Sequence, residues 1–169
     1  MSFKRRKGLF DLLIKNVKII GENEITDGFV RTANGKITEV GKTAREAENE
    51  EVIDGNGKYL SPGFIDLHVH GGGDSDFMDE DASAFPTIAK AHCAHGTTAL
   101  CPTTMTCADS LLEKTIDLFL EADKEPENGA ELLGLHLEGP YFSAASKGAQ
   151  PIGEQRIPER EDLERILRR

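Results

Sequence analysis

Between residues 10 and 60, apolar positions alternate with polar ones in short runs. Leu13, Val17 and Ile19 stand among Lys15, Asn16 and Lys18; Phe29 and Val30 lead into Ala33-Asn34-Gly35-Lys36, and Ile37 and Val40 follow. A period of two predicts half-buried strands. Asn34-Gly35 predicts a type I′ hairpin, because both central residues of that turn need positive φ. The expectation is a small antiparallel sheet that starts near Phe10. Residues 45–51, with Glu46, Glu48, Glu50 and Glu51, read as a solvated loop, and Val52-Ile53 and Tyr59-Leu60 bracket a turn at Gly55-Asn56-Gly57.

After Pro62 the period changes. Residues 64–70 form a short apolar run ended by Gly71-Gly72-Gly73, and Phe85, Ile88, Ala89 and His92 then recur at helical spacing up to Gly96. Residues 97–101 form a second β-rich run, closed by Pro102. Leu111, Leu112, Thr115, Ile116 and Phe119 mark an amphipathic helix over about 109–124. Residues 132–137 read as a third strand, ended by Gly139-Pro140. A last helix from Pro158, with that proline in its first turn, would carry Leu163, Ile166 and Leu167 on one face. Strands alternating with helices imply right-handed crossovers and a parallel sheet.

Charge and composition narrow the partners. The 169 residues include 30 acidic and 20 basic side chains, a net charge of −10, whereas a nucleic-acid-binding domain should be basic. With 38% hydrophobic and 30% charged residues the chain is globular in composition. No apolar run approaches the roughly 20 residues of a membrane span. Lys4, Arg5, Arg6 and Lys7 precede a segment with Asp11 and Lys15 where a signal peptide would be apolar. The expectation is a cytoplasmic protein with neither nucleic acid nor membrane as partner. Cys93, Cys101 and Cys107 are odd in number and lack metal-site spacing, so they read as reduced packing residues.

Strand parity puts Asp66, His68 and His70 on one face of the first parallel strand, with Ile65, Leu67 and Val69 on the other. Two same-face imidazoles can present nitrogens to one ion. The alternative is that backbone or carboxylate hydrogen bonds satisfy both. Their position at the carboxyl end of a parallel strand, before a Gly-rich loop, is where α/β folds place their sites. The same parity sets Gly134, His136 and Glu138 together in the third strand. A carboxylate pointing into a crevice is costly unless paired or bound to a cation, so Glu138 is a candidate third ligand, with an ion pair to Lys or Arg as the alternative. His136 sits deeper and reads as structural, as do His92, turned toward the sheet, and His95, near a helix C-cap. The glycine run lacks dinucleotide spacing, and no GxxxxGK[ST] motif occurs.

In order, Ser61-Pro62-Gly63-Phe64-Ile65-Asp66-Leu67-His68-Val69-His70-Gly71, His95-Gly96-Thr97-Thr98, Pro102-Thr103-Thr104, His136-Leu137-Glu138-Gly139-Pro140-Tyr141-Phe142 and Lys147-Gly148-Ala149-Gln150 resemble the amidohydrolase superfamily. Within it the likeness is to the N-acetylglucosamine-6-phosphate deacetylase family. The resemblance implies an α/β chain: the N-terminal portion of a TIM-type (β/α)8 barrel over 61–169, its first three β/α units, preceded by strands of a small β-sandwich over 1–60. It implies metal ligation by Glu138, His68 and His70, with zinc or iron as one ion or two. Ala149 and Gln150 fall where the family's loop contacts the sugar phosphate, largely through backbone.

The implied reaction is hydrolysis of the N-acetyl group of N-acetylglucosamine 6-phosphate to glucosamine 6-phosphate and acetate by a protein that is a homodimer at full length. A divalent metal lowers the pKa of water from about 15.7 toward about 7 and polarises the amide oxygen. An Asp of the last barrel strand serves as acid and base. A whole barrel takes about 250 residues, so the chain departs from the family in length. The expectation is an N-terminal part with its acid/base Asp beyond residue 169, weak metal binding through three ligands at most, and no turnover alone. The alternatives are another amidohydrolase such as a cyclic amidase, against which 136–150 speaks, and a noncatalytic metal- or partner-binding module.

Overall fold

Alternation and turn chemistry organise the first strands. The computed structural model describes residues 12–48 and 50–169, so Phe10, Asp11 and the basic residues Lys4 to Lys7 lie outside the described residues. The chain divides into two compact units, with Pro62 the last residue of the first.

In the first unit, β1 (Leu12–Ile20) pairs antiparallel with β2 (Ile25–Ala33), which pairs antiparallel with β3 (Lys36–Gly41). Asn34 and Gly35 both have positive φ, 53° and 73°, as a type I′ turn demands. The sheet is nevertheless not all antiparallel: β4 (Glu51–Asp54) and β5 (Tyr59–Leu60) pair with β1 in parallel. A long connection after β3 returns the chain to the far edge of β1, running the same way. The β1–β2 register shifts between Ile14 and Val17, and Asn16 takes φ 54° there. The carbonyls of Lys15 and Asn16 accept the N–H groups of Gly55 and Gly57 at 2.8 and 2.7 Å, which seats the turn between β4 and β5. Leu13 and Val17 of β1 and Phe29 and Val30 of β2 are buried.

The acidic loop is also not simply solvated. The Glu50 side chain is 2% exposed. It accepts Arg31 Nε–H at 2.5 Å and the Ala47 N–H at 3.1 Å, while Arg31 also pairs with Glu39 and donates to the Arg45 carbonyl at 2.6 Å. Arg31 stands 19 residues before Glu50, so no local pattern announces this anchor.

The second unit alternates as expected. β6 (Phe64–Val69), the short hairpin β7 (Gly71–Gly72) and β8 (Ser75–Asp76), α1 (Ala84–Cys93), β9 (Thr97–Thr104) and α2 (Asp109–Glu121) follow in order. Then come β10 (Glu131–Leu132), β11 (His136–Leu137) and α3 (Arg160–Leu167). β6, β10 and β11 all lie parallel to the central β9. This is the N-terminal part of a TIM-type α/β barrel, preceded by sheet strands. The helical period buries Ala84, Phe85, Ile88 and Ala89 of α1 and Leu112, Thr115, Ile116 and Phe119 of α2. Phe85 is fully buried, with its ring 5.3 Å from Phe77 and 6.2 Å from Phe119, and Leu100 and Leu132 complete this core.

Several boundaries differ from the sequence pattern. Pro102 lies inside β9 rather than ending it, because it pairs with Val69 where the β6–β9 register shifts, a place that requires no N–H donor. The third strand is two short pieces rather than one. Glu131 pairs with Ala99 but His136 with Thr103, so one extra residue is absorbed between them. α2 ends at Glu121, not at 124, because the Lys124 ammonium folds back onto the carbonyls of Phe119 and, at 2.8 Å, Ala122. α3 begins at Arg160 after the N-cap Glu159, leaving Pro158 outside it, and buries no residue; Leu163 and Leu167 are exposed. Its Arg165 pairs instead with Asp109 and Glu113 of α2, and Arg169, past its end, pairs with Asp117. On β6 the side chains of Phe64, Ile65 and Leu67 are exposed, and among the described residues this strand pairs with β9 only.

Candidate metal centre

Parallel pairing puts the carboxyl ends of β6, β9 and β11 at one end of the sheet. His68 lies within β6, His70 just past its end, and Glu138 just past β11. Gly139 follows with φ 94°, and a Cβ there would overlap the Thr106 hydroxyl, so glycine alone lets the chain turn directly after Glu138.

The three side chains meet. Glu138 Oε2 lies 3.1 Å from His68 Nε2 and 3.1 Å from His70 Nε2, and the two nitrogens are 3.3 Å apart. Among the described residues this is the one group of three or more ligating side chains close enough to share an ion. His70 Nδ1 is 3.1 Å from the Thr103 carbonyl oxygen. A carbonyl has no proton to give, so Nδ1 carries the hydrogen and Nε2 presents a lone pair. That lone pair faces a carboxylate oxygen at hydrogen-bond distance, a repulsive arrangement unless a proton or cation lies between them. The set is half exposed, with His68 at 49% and Glu138 at 23%.

A pocket of about 550 Å³ opens beside the cluster, lined by His68, His70, Glu138, Met105, Lys147 and Ala149 among others. Ala149 is exposed toward it. Gln150 also borders it, but its side chain is 4% exposed and turned inward, where Oε1 accepts the Thr106 N–H at 2.8 Å. Lys147 Nζ donates to the Gln150 carbonyl at 2.8 Å, closing the loop on itself. Lys147 as a pocket cation and Thr103 as a partner of His70 are not legible from strand parity, although Lys147-Gly148-Ala149-Gln150 and Pro102-Thr103-Thr104 contain them.

Of the remaining histidines only His136 touches this group among the described residues. His92 Nε2 contacts the Gly71 carbonyl at 3.0 Å, and His95 is exposed. His136 stacks edge-on against His68, with ring centroids 4.9 Å apart and planes at 89°. Cys93, Cys101 and Cys107 are free, and burial pushes the Cys107 thiol above its ordinary range. No helix among the described residues is long and apolar enough to cross a membrane.

Comparison with known proteins identifies the family. The amidohydrolase family model matches residues 59–168. A curated N-acetylglucosamine-6-phosphate deacetylase of Bacillus subtilis is 37% identical over 145 residues, covering 83% of this chain and 37% of its own. One from Lysinibacillus sphaericus is 33% identical over 151 residues, covering 83% of this chain and 36% of its own. The crystal structure of N-acetylglucosamine-6-phosphate deacetylase from Pasteurella multocida superposes with a TM-score of 0.82 at 28% identity, over 93% of this chain and 41% of that one. The chain thus spans well under half the length of these relatives.

Proposed function

Because the chain belongs to the amidohydrolase family, we propose that it carries the first metal-ligating strands of a deacetylase acting on N-acetylglucosamine 6-phosphate, with His68, His70 and Glu138 holding a divalent zinc or iron ion. The observation that carries this reading is the triangle of donor atoms, with edges of 3.1, 3.1 and 3.3 Å. Tetrahedral ligands at ~2.0–2.1 Å from zinc stand roughly 3.3 Å from one another, so the side chains are spaced as such an ion requires. A bound ion supplies Lewis-acid activation of water and of the amide carbonyl.

The chain's own residues supply the rest. Thr103 fixes the tautomer that frees His70 Nε2 as a ligand. The pocket has the size of a small-ligand site, ~300–1,000 Å³, and Lys147 offers it a positive charge suited to a phosphate. Ala149 borders it through an exposed stretch of backbone while Gln150 anchors the loop from within. The general acid/base Asp belongs, in this proposal, to a barrel strand found in the longer relatives, and residues 12–60 to a small β-sandwich. The relatives' names favour the deacetylase over a cyclic amidase.

The test is acetate release from N-acetylglucosamine 6-phosphate, against ring opening of dihydroorotate, with zinc or ferrous iron present. The chain is co-folded with the remaining barrel segment of the Bacillus subtilis relative. Acetate release that disappears in Glu138→Gln is expected, and ring opening alone would refute the substrate. Residues 1–169 by themselves should release none; turnover that Glu138→Gln abolishes would refute the need for further strands. Tight zinc binding without turnover in either form would favour a noncatalytic module.

A further inference from the structure

The Thr103 hydroxyl is fully buried and has three neighbours. It lies 3.0 Å from the Cys101 carbonyl, 3.1 Å from Val69 N and 3.4 Å from His136 Nδ1. A hydroxyl has one proton and two acceptor sites. The proton goes to the Cys101 carbonyl, which can only accept, and one acceptor site takes the Val69 N–H. The other can meet His136 Nδ1 only if that nitrogen carries a hydrogen. The same residue's carbonyl accepts Nδ1–H of His70 at 3.1 Å. One residue therefore sets which nitrogen is protonated on two imidazoles.

We infer that Thr103 is the positioning residue of the cluster, orienting His70 directly and His68 through His136; this rests on the reading of His68, His70 and Glu138 as metal ligands. Val69, whose N–H the hydroxyl holds, separates His68 from His70 at the point where the β6–β9 register shifts. Asp66 Oδ1 accepts the His68 N–H at 3.1 Å in the same stretch. Side chains thus replace the backbone ladder on both sides of His68, and the angle between the two imidazoles depends on them. His136 has its ring perpendicular to that of His68 at 4.9 Å between centroids, so the Nδ1 bond to Thr103 also limits how His68 can turn.

Thr104 provides the contrast. It is the next residue and equally buried, yet its hydroxyl has no hydrogen-bond partner among the described residues.

The experiment uses the 169-residue chain with zinc as the probe. In the metal-free protein at about pH 8, ¹⁵N–¹H imidazole spectra should show Nδ1–H at both His70 and His136, whether or not His70 Nε2 also shares a proton with Glu138; absence of Nδ1–H at either overturns the inference whether or not any variant folds. Thr103→Val keeps the carbonyl that His70 uses and removes only the hydroxyl that holds Val69 and His136, so it should weaken zinc affinity by about 10-fold, the low end of the range for losing a ligand's own hydrogen-bond partner. It should also accelerate Val69 amide exchange. Thr103→Ser should restore both, and Thr104→Val should leave both as they are. Wild-type zinc affinity and unchanged Val69 exchange in Thr103→Val would overturn the inference. Equal zinc binding by the unaltered chain and by His70→Ala would instead refute the metal reading, and the imidazole spectra would still decide whether Thr103 orients the rings.

Discussion

Replacing Gln150 with leucine isolates one hydrogen bond. Gln150 is 4% exposed and its Oε1 accepts the N–H of Thr106, itself 2% exposed, at 2.8 Å. Leucine is close to glutamine in volume, so the change opens little cavity and its cost is the orphaned donor. A buried N–H left without a partner costs about 1–3 kcal/mol. At about 1.4 kcal/mol per tenfold, that is roughly a 5- to 140-fold rise in local opening. The loop keeps its backbone clasp, with the Gln150 N–H on the Lys147 carbonyl at 3.1 Å and Lys147 Nζ on the Gln150 carbonyl at 2.8 Å. The effect should therefore concentrate at the Thr106 end. Native-state hydrogen exchange reads it directly: the Thr106 amide should exchange about 5- to 140-fold faster in Gln150→Leu, with amides of α1 unchanged. Equal Thr106 protection in both proteins would show that the side chain does not hold the loop, and the account of Gln150 as an internal anchor would fall.

Three further outcomes follow from packing and charge. Phe85→Ala removes a fully buried ring between Phe77 and Phe119 and should cost ~3–5 kcal/mol in urea unfolding; a loss below about 1 kcal/mol would mean that the core is centred elsewhere. Arg31 hydrogen-bonds Glu50 and holds its carboxyl below the ordinary range against the opposing effect of burial, and the Asn56 N–H does the same for Asp54. Since both folded values lie below unfolded ones of about 4.3 and 3.9, their stabilisation is complete above those values and is lost as pH falls through the lower folded ones. The first unit should hold its urea midpoint down to about pH 4 and lose it below; Glu50→Gln should flatten that fall, and an equally steep fall in the variant would contradict it. Finally, α3 and the residues just after it meet α2 through partly exposed ion pairs, with Arg165 2.8 Å from Asp109 and Arg169, past the helix end, 2.6 Å from Glu113. Salt screens such pairs, so α3 amides should exchange faster in molar salt than in dilute buffer; salt-independent exchange would point to packing of Ile166 instead.

The sequence alone was enough for whatever depends on neighbours along the chain. The 3.6-residue period of Phe85, Ile88 and Ala89 defines the buried face of α1, and Asn34-Gly35 dictates its turn because few other pairs accept positive φ twice. The alternation of strand and helix announces a parallel sheet, and parity brings His68 and His70 to its carboxyl end. Tertiary structure decided whatever depends on a remote partner. Glu50 reads as one solvated acid among several until Arg31 meets it, and Pro102 reads as a strand terminator until the shifted β6–β9 register removes the need for its N–H. The parallel placement of β4 and β5 against β1 follows from the route of a long connection, which no local preference encodes. Glu138 and His68 are 70 residues apart in sequence. They touch because β6 and β11 both bond to β9, and the side chain and carbonyl of Thr103, lying between those strands, reach His136 on one side and His70 on the other.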